Sequence, residues 1–403
     1  MTLISVDEAL ARLLDGVTPL EAETVPLDDA NGRTLAADIR ANRTQPPFSA
    51  SAMDGYAVRA ADIASVPARL RVIGEAPAGH GFSGAVGPGE AVRIFTGAPL
   101  PRGADTILIQ ENAERSADGG EITALETAEH GRYVRPAGLD FLQGDTLLAA
   151  GQTLGFADLA LAAAMNHATL PVHRRPRVAI LATGDELVPP GRDPGPDQII
   201  ASNHIGVGAL VEDHGGTAIQ LGIAEDRADA LARKIAAARD ARADVLVTLG
   251  GASVGDHDLV QDALGQAGMD LAFWRIAMRP GKPLMAGRIG DMQVLGLPGN
   301  PVSSLVCSLL FLKPLLAALS GRPRIERLSE QLPLAADVGE NDRREDYLRA
   351  SLEIGEDGTE RARPFERQDS SMLATLARAD VLIVRPPHGP ALPAGTPVPV
   401  IRI

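Results

Sequence analysis

Between residues 175 and 323 the chain repeats one unit: a short apolar run, a tight turn, then a longer stretch with helical signals. Arg177–Ala182 (RVAILA), Ala218–Ile223, Asp244–Leu249 (DVLVTL) and Gln293–Leu297 read as strands. Helices are expected from a cap at Ser202 to about His214, across 226–240, from Asp256, and after Pro301. Strands that alternate with helices pair in parallel, because the crossover helix returns each strand in the same direction. The expected frame is therefore a parallel α/β sheet with helices on both faces.

That frame dictates where a ligand can sit. In open parallel sheets it binds outside the carboxyl ends of the strands, where strand order reverses. Three strand ends carry unusual loops: Thr183-Gly-Asp-Glu186, Gly250-Gly-Ala-Ser-Val-Gly255-Asp256 and Leu297-Pro-Gly-Asn-Pro301. The second and third run straight into helices, whose N-terminal N–H groups can hold an anion. The familiar nucleotide fingerprints fail. No G-x-G-x-x-G follows a strand, and around Pro280-Gly-Lys-Pro283 a P-loop lacks its first glycine (Ile276) and its Ser/Thr (Pro283).

The rest of the chain has a different texture. Ser5-Val-Asp-Glu8 is a capping box ahead of a short N-terminal helix, and 156–166 reads as another helix. Residues 41–142 are dense in Gly and Pro, with short β-prone runs at Leu70–Ile73, Ala91–Phe95 and Thr106–Ile109, as expected of a small inserted β domain. Past Gly321 the chain returns to β-prone segments. At 403 residues it needs several domains.

Charge and composition narrow the function. A net charge of −14 with 3% aromatics disfavours phosphate tracking and base stacking, so no nucleic-acid partner is expected. One cysteine, Cys307, allows no intrachain disulfide and no thiolate metal site, which points to a reducing, cytoplasmic setting. Val302–Leu319 is the most apolar stretch, but it carries Ser303, Ser304, Ser308 and Lys313 and reads as a buried helix rather than a membrane span. Histidine spacing supports no transition-metal site, and no nucleophile elbow or Cys–His pair is present.

What remains is a set of carboxylates beside glycine-rich loops, Asp54, Asp140, Glu186, Asp226 and Asp256, and a cationic segment with Arg275, Arg279 and Lys282. Mg²⁺ is typically held by one or two carboxylates plus substrate phosphates. Arginine binds oxyanions bidentately and lysine as a point charge. Together they support phosphoester or phosphoanhydride chemistry without naming a substrate.

The motifs SAMDGYAV (51–58), FTGAPLPRGAD (95–105), ATGDEL (182–187), SNHIGVGALVEDHGG (202–216), TLGGASVGDHD (248–258), MRPGKPL (278–284), GLPGNPVSS (296–304) and QDSSMLATLARADVLIV (368–384) occur in one order. In this order the chain strongly resembles the molybdopterin molybdenumtransferases, the MoeA and gephyrin E-domain family, over essentially its whole length. The resemblance implies an α/β multidomain fold with a central MogA-like molybdopterin-binding domain at 175–323. An N-terminal helix (1–20) packs on it. A connecting domain comes from 21–40 and 143–174, an inserted β-rich domain from 41–142, and a C-terminal β-barrel-like domain from 324–403.

It implies a homodimeric enzyme that takes molybdate and adenylylated molybdopterin, cleaves the phosphoanhydride with Mg²⁺, and releases AMP and molybdenum cofactor. A molybdopterin adenylyltransferase and apo-molybdoenzymes or their chaperones are the implied partners. Asp54, Thr96 and Asp140 would come from the inserted domain, and Glu186, Asp226 and Asp256 from the α/β side, with Asp256 and Glu186 at the metal. Substrate contacts would fall to Ser202, Asn203, Gly250, Gly251, Ser253, Arg275, Arg279, Lys282, Pro298, Pro301, Arg349 and Ser371. Two of the cationic positions are arginine where relatives commonly carry lysine, which keeps the charge and changes the geometry. The rival activities are molybdopterin adenylylation and a storage or scaffold role, and tungstate is an equally sized rival to molybdate.

Overall fold

The computed structural model describes residues 3–251, 259–323 and 330–403. Its centre is a six-stranded sheet in the order Thr217–Ala224, Arg177–Thr183, Val245–Leu249, Met292–Leu297, Met285–Ile289, Asp270–Trp274. The first four strands pair in parallel. The last two run antiparallel, as a hairpin ladder added to one edge. The sheet is therefore mixed rather than wholly parallel. The short Ile289–Met292 turn makes an antiparallel return possible where a parallel one would need a crossover helix.

Chain order places the reversal between Arg177–Thr183 and Val245–Leu249. From Arg177–Thr183 the chain moves outward to Thr217–Ala224, then returns to the other side. Both strands at the reversal are buried along almost their whole length. One face is covered by helices Asn203–Asp213 and Pro301–Leu319, the other by Ala228–Asp240 and Leu259–Gln266.

Pro301–Leu319 runs as α-helix, a π-helical turn at Ser308–Leu312, then α-helix again. It is long and apolar enough to cross a membrane, but two thirds of its length (67%) is buried inside the protein. Val302, Val306, Phe311, Leu312, Leu315 and Leu316 are fully buried, each contributing about 1.5–3 kcal/mol. Cys307 shares that core; burial pushes its thiol pKa far up, as expected of an inert core residue. The N-terminal helix Val6–Leu14 is capped by the Ser5 hydroxyl, which accepts from the Glu8 N–H at 3.1 Å, and buries Val6, Ala9, Leu13 and Leu14 in the same cluster.

Three further units surround this centre. Strands Ala22–Pro26 and Thr169–His173 pair, as do Ile39–Arg40 and Thr146–Leu148, and with helix Phe156–Ala164 they enclose a core of Leu35, Phe141, Leu148, Leu154 and Leu170. A six-stranded sheet spans Gly55–Val58 to Glu121–Ala124. The C-terminal sheet contains Glu345–Ile354, Val381–Arg385, Pro397–Arg402 and Glu330–Pro333, with Glu360–Pro364 paired alongside. Its edge strand is Met278–Arg279, which pairs in parallel with Glu345–Asp346. That strand belongs in sequence to the α/β unit, and its pairing was not apparent from two residues.

One ion pair fastens the connecting unit to the central sheet. The Arg174 guanidinium donates to both Asp244 oxygens at 2.6 Å, and Asp244 also accepts from the Arg177 N–H at 2.8 Å. Glu21 takes the Arg174 Nε at 2.5 Å. Deleting one member strands the rest of the network. Asp244→Ala is expected to lower the first unfolding transition in urea by about 2–3 kcal/mol, the scale for a charged hydrogen-bond network lost at partial burial. An unchanged transition would mean the tie is dispensable.

Candidate active site

A cleft of about 620 Å³ opens where the sheet topology requires one, at the carboxyl ends of Arg177–Thr183 and Val245–Leu249. Its floor is Ala182, Thr183, Leu249, Gly250 and Gly251. Gly250 has φ +100°, and a Cβ there would stand 2.7 Å from the Thr183 carbonyl oxygen. A Cβ at Gly251 (φ +64°) would meet Val260 Cγ2 at 2.1 Å. Both glycines are needed by conformation and by space.

Two helix N-termini face the cleft. Ser202, Asn203 and His204 open one helix, and Pro298 to Pro301 lead into the other. The Asn203 side chain donates to the Gly299 carbonyl at 2.7 Å and so holds the two starts together. Ser202 occupies the N-cap position without a capping bond; its hydroxyl turns to Asn203 Oδ1 at 3.3 Å rather than to the N–H groups of the helix start.

The opposite wall is acidic, with Glu186 and Asp226. Asp226 is not the cap of the following helix; Arg227 holds that position, and the Asp226 N–H instead donates to Asp185 Oδ1 at 3.0 Å. Partial burial, then the charges of Asp185 and Glu186, hold the Asp226 carboxyl above its ordinary range.

The C-terminal unit closes one side through Ser371. Asp369 Oδ1 accepts from both the Ser371 N–H (2.8 Å) and hydroxyl (2.6 Å). The neighbouring Ser370 accepts from Asn300 Nδ2 at 3.0 Å through its hydroxyl and from the Val302 N–H at 3.0 Å through its carbonyl. Arg349 does not line the cleft. It is fully buried behind this loop, donating to the Asp369 carbonyl at 3.3 Å, and burial lowers its pKa.

The cationic segment also stands back from the lining. Arg275 (φ +76°) stacks over Trp274 at 4.3 Å, and Arg279 is ion-paired to Asp346 and, at 3.5 Å, to Asp342. The Lys282 carbonyl accepts from the Ile276 N–H, and the next residue, Pro283, is the one that reaches the cleft. Asp54, Thr96 and Asp140 are absent from the lining as well; they sit on the inserted unit. Asp54 Oδ1 accepts from the Thr96 N–H (2.8 Å) and hydroxyl (2.7 Å), which, with Arg93 nearby, hold the carboxyl below its ordinary range. Asp140 is exposed, between Leu139 and the buried Phe141. Ser253 and Asp256 lie outside the described residues.

Sequence reasoning passed over His204, Pro283, Asn300 and Ser370. His204 carried a signal in its place beside Asn203 at a helix start; its Nδ1 is buried without a partner among the described residues, and burial lowers its pKa. Asn300 and Ser370 had none, because a contact 70 residues apart in the chain leaves no local pattern.

A switch-point cleft with two helix N-termini and a carboxylate wall is the arrangement by which an α/β protein can take an anionic ligand. Comparison with known proteins then places the chain. It matches the MoeA N-terminal region (domain I and II) over residues 4–166, the "Probable molybdopterin binding domain" over 179–318, and the MoeA C-terminal region (domain IV) over 331–403. It is 35% identical to the molybdopterin molybdenumtransferase of Nostoc sp. over 391 residues, 95% of this chain and 89% of that protein. For the Bacillus subtilis molybdopterin molybdenumtransferase the figures are 33% over 410 residues, 100% and 94%. The crystal structure of the molybdopterin biosynthesis MoeA protein from Pyrococcus horikosii superposes with a TM-score of 0.86 at 32% identity, covering 100% of this chain and 99% of that one. The chain belongs to the molybdopterin molybdenumtransferase (MoeA) family.

Two outcomes follow from the cleft. Gly250→Ala puts a Cβ against Thr183 at a φ that L-residues rarely adopt, and should cost more than about 1 kcal/mol in chemical denaturation. An unperturbed variant would mean the floor can shift. Asp226 binds its proton more tightly folded than unfolded, so ionisation costs stability once the pH exceeds the unfolded pKa. Asp226→Asn should therefore raise the thermal midpoint of the free protein at pH 7, by the fraction of a kcal/mol usual for solvent-screened charges, and lose that advantage below about pH 4. A gain that persisted in acid would contradict this origin.

Proposed function

We propose that this chain inserts molybdenum from molybdate into adenylylated molybdopterin, cleaving the phosphoanhydride and releasing AMP and molybdenum cofactor. The observation that carries this reading is the cleft itself. It lies in the segment matching the molybdopterin-binding family model, and the matched C-terminal region contributes Ser371 to its wall. Adenylyltransferase activity would call on the α/β unit alone; here the N- and C-terminal MoeA regions are present too.

In this reading the helix starts at Ser202–His204 and Pro298–Pro301 bind phosphate oxygens through their N–H groups. Asn203 keeps both starts at a fixed separation, so the site needs little reorganisation as charge shifts onto the departing AMP. Mg²⁺ fits the donor set. Glu186 and Asp226 share one wall; burial first, then the charges of Asp185 and Glu186, raises the Asp226 pKa, and a dication there would favour its ionised form. Glu186 and Asp226, with Asp256, would hold it, and phosphate oxygens and water would complete its shell. When bound, the ion would offset charge on the phosphoanhydride.

Asp54, Thr96 and Asp140 stand away from their own chain's cleft, which supports a homodimer in which each inserted unit completes the partner's site. Arg275, Arg279 and Lys282 would serve the pterin phosphate and molybdate from the rim. A cytoplasmic location, with cofactor passing to apo-molybdoenzymes, follows from the same reading.

AMP release from adenylylated molybdopterin should require Mg²⁺ and rise with molybdate, alongside active cofactor. Glu186→Gln should slow it by roughly a hundredfold, the scale of losing one electrostatic stabiliser. Mixed Asp54→Ala and Glu186→Gln protomers should recover activity that neither has alone. No AMP release by the wild-type chain would overturn the proposal, and no recovery on mixing would confine the site to one chain.

A further inference from the structure

We infer that Arg93 is a positioning residue for the Asp54–Thr96 pair, a deepening that rests on the reading of that pair as part of the reacting site. Arg93 lies on strand Glu90–Ile94, directly opposite Tyr56 on Gly55–Val58. Its guanidinium makes four separate contacts. Nη1 donates to the Gly55 carbonyl at 3.1 Å and Nη2 to Gln110 Oε1 at 2.7 Å. Its Cζ stands 5.2 Å from the Tyr56 ring centroid and 4.9 Å from that of Phe95.

These contacts fall on the pair's neighbours. Gly55 follows Asp54, and Phe95 precedes Thr96. Gln110 donates its backbone N–H to the Asp54 carbonyl at 3.1 Å. One planar cation therefore touches the neighbour of each member and the residue that holds Asp54 from below. Gly55 itself packs closely on the next strand, where a Cβ would meet the Leu108 carbonyl at 2.1 Å.

An arginine on an exposed strand is ordinarily a solvated charge held by little. Here the side chain is half-buried, and donation in two directions together with two ring faces fixes its orientation. Lysine cannot reproduce this, because its ammonium has no plane to stack and no fork to split between two acceptors. The guanidinium charge also helps keep Asp54 ionised.

The test compares full-length wild-type, Arg93→Met and Arg93→Lys chains in molybdate-dependent AMP release, with Asp54→Ala and the Arg93→Met/Asp54→Ala double variant. Arg93→Met should lose roughly tenfold to a hundredfold in kcat, the range for displacing a reacting group by an ångström or less, while KM for adenylylated molybdopterin stays within about twofold. The double variant should be no slower than Asp54→Ala. Carbon-13 NMR titration of the Asp54 carboxyl, a readout independent of turnover, should place its pKa higher in Arg93→Met than in wild type. If Arg93→Met does not fold, Arg93→Lys decides, with roughly a tenfold kcat loss expected.

Wild-type kcat in the folded variant, or losses that multiply in the double variant, would overturn the positioning role. A wild-type chain that releases no AMP would instead overturn the functional reading beneath it, and the NMR titration would still report on Arg93.

Discussion

The side-by-side parallel pairing of Arg177–Thr183 with Val245–Leu249 is the constraint on which the rest of the molecule depends. Two neighbouring strands whose chains leave in opposite directions open a gap at their shared end, because no connection covers it. The cleft is arranged around that gap. Its floor is glycine, since the Gly250 backbone passes too close to Thr183 for any side chain. Two helices start beside it, and Ser371 reaches it from a unit far along the chain.

The electrostatics follow from the same arrangement. A chain with net charge −14 can still receive an anionic ligand when the attraction is supplied by helix starts rather than by a basic surface. Burial first, then the charges of Asp185 and Glu186, raises the Asp226 pKa, so its ionised form is costly in the free protein. That cost is typical of a site built for charged occupants rather than for the stability of the free protein.

Much of the frame was legible in the sequence because it rests on local patterns. Apolar runs such as DVLVTL, the glycines after them and the prolines at 298 and 301 mark strand, turn and helix start within a few residues. What escaped depends on partners distant in the chain. Asp270–Trp274 and Met285–Ile289 pair antiparallel, a direction their composition does not carry. Asp226 precedes the cap residue Arg227, and its N–H bond reaches Asp185, 41 residues away in the chain. Ser202 held the right position with its hydroxyl turned elsewhere. Arg279 looked like a free phosphate clamp, and its pairing with Asp346 was invisible because the acid lies 67 residues away. Arg93 had no signal at all, since its contacts come from strand register.

The loan of Met278–Arg279 to the C-terminal sheet has a consequence for how this protein can change over evolutionary time. Boundaries drawn along the chain suggest modules that could be exchanged one for another. Yet the edge of one sheet is a strand from its neighbour, and the loop bearing Pro298 is bonded through Asn300 to Ser370 across the same border. A transplanted C-terminal unit would arrive with an open sheet edge and with no hold on the cleft it should close. The two units are therefore expected to drift together, with substitutions near 278, 300, 346 and 370 tolerated as sets rather than singly.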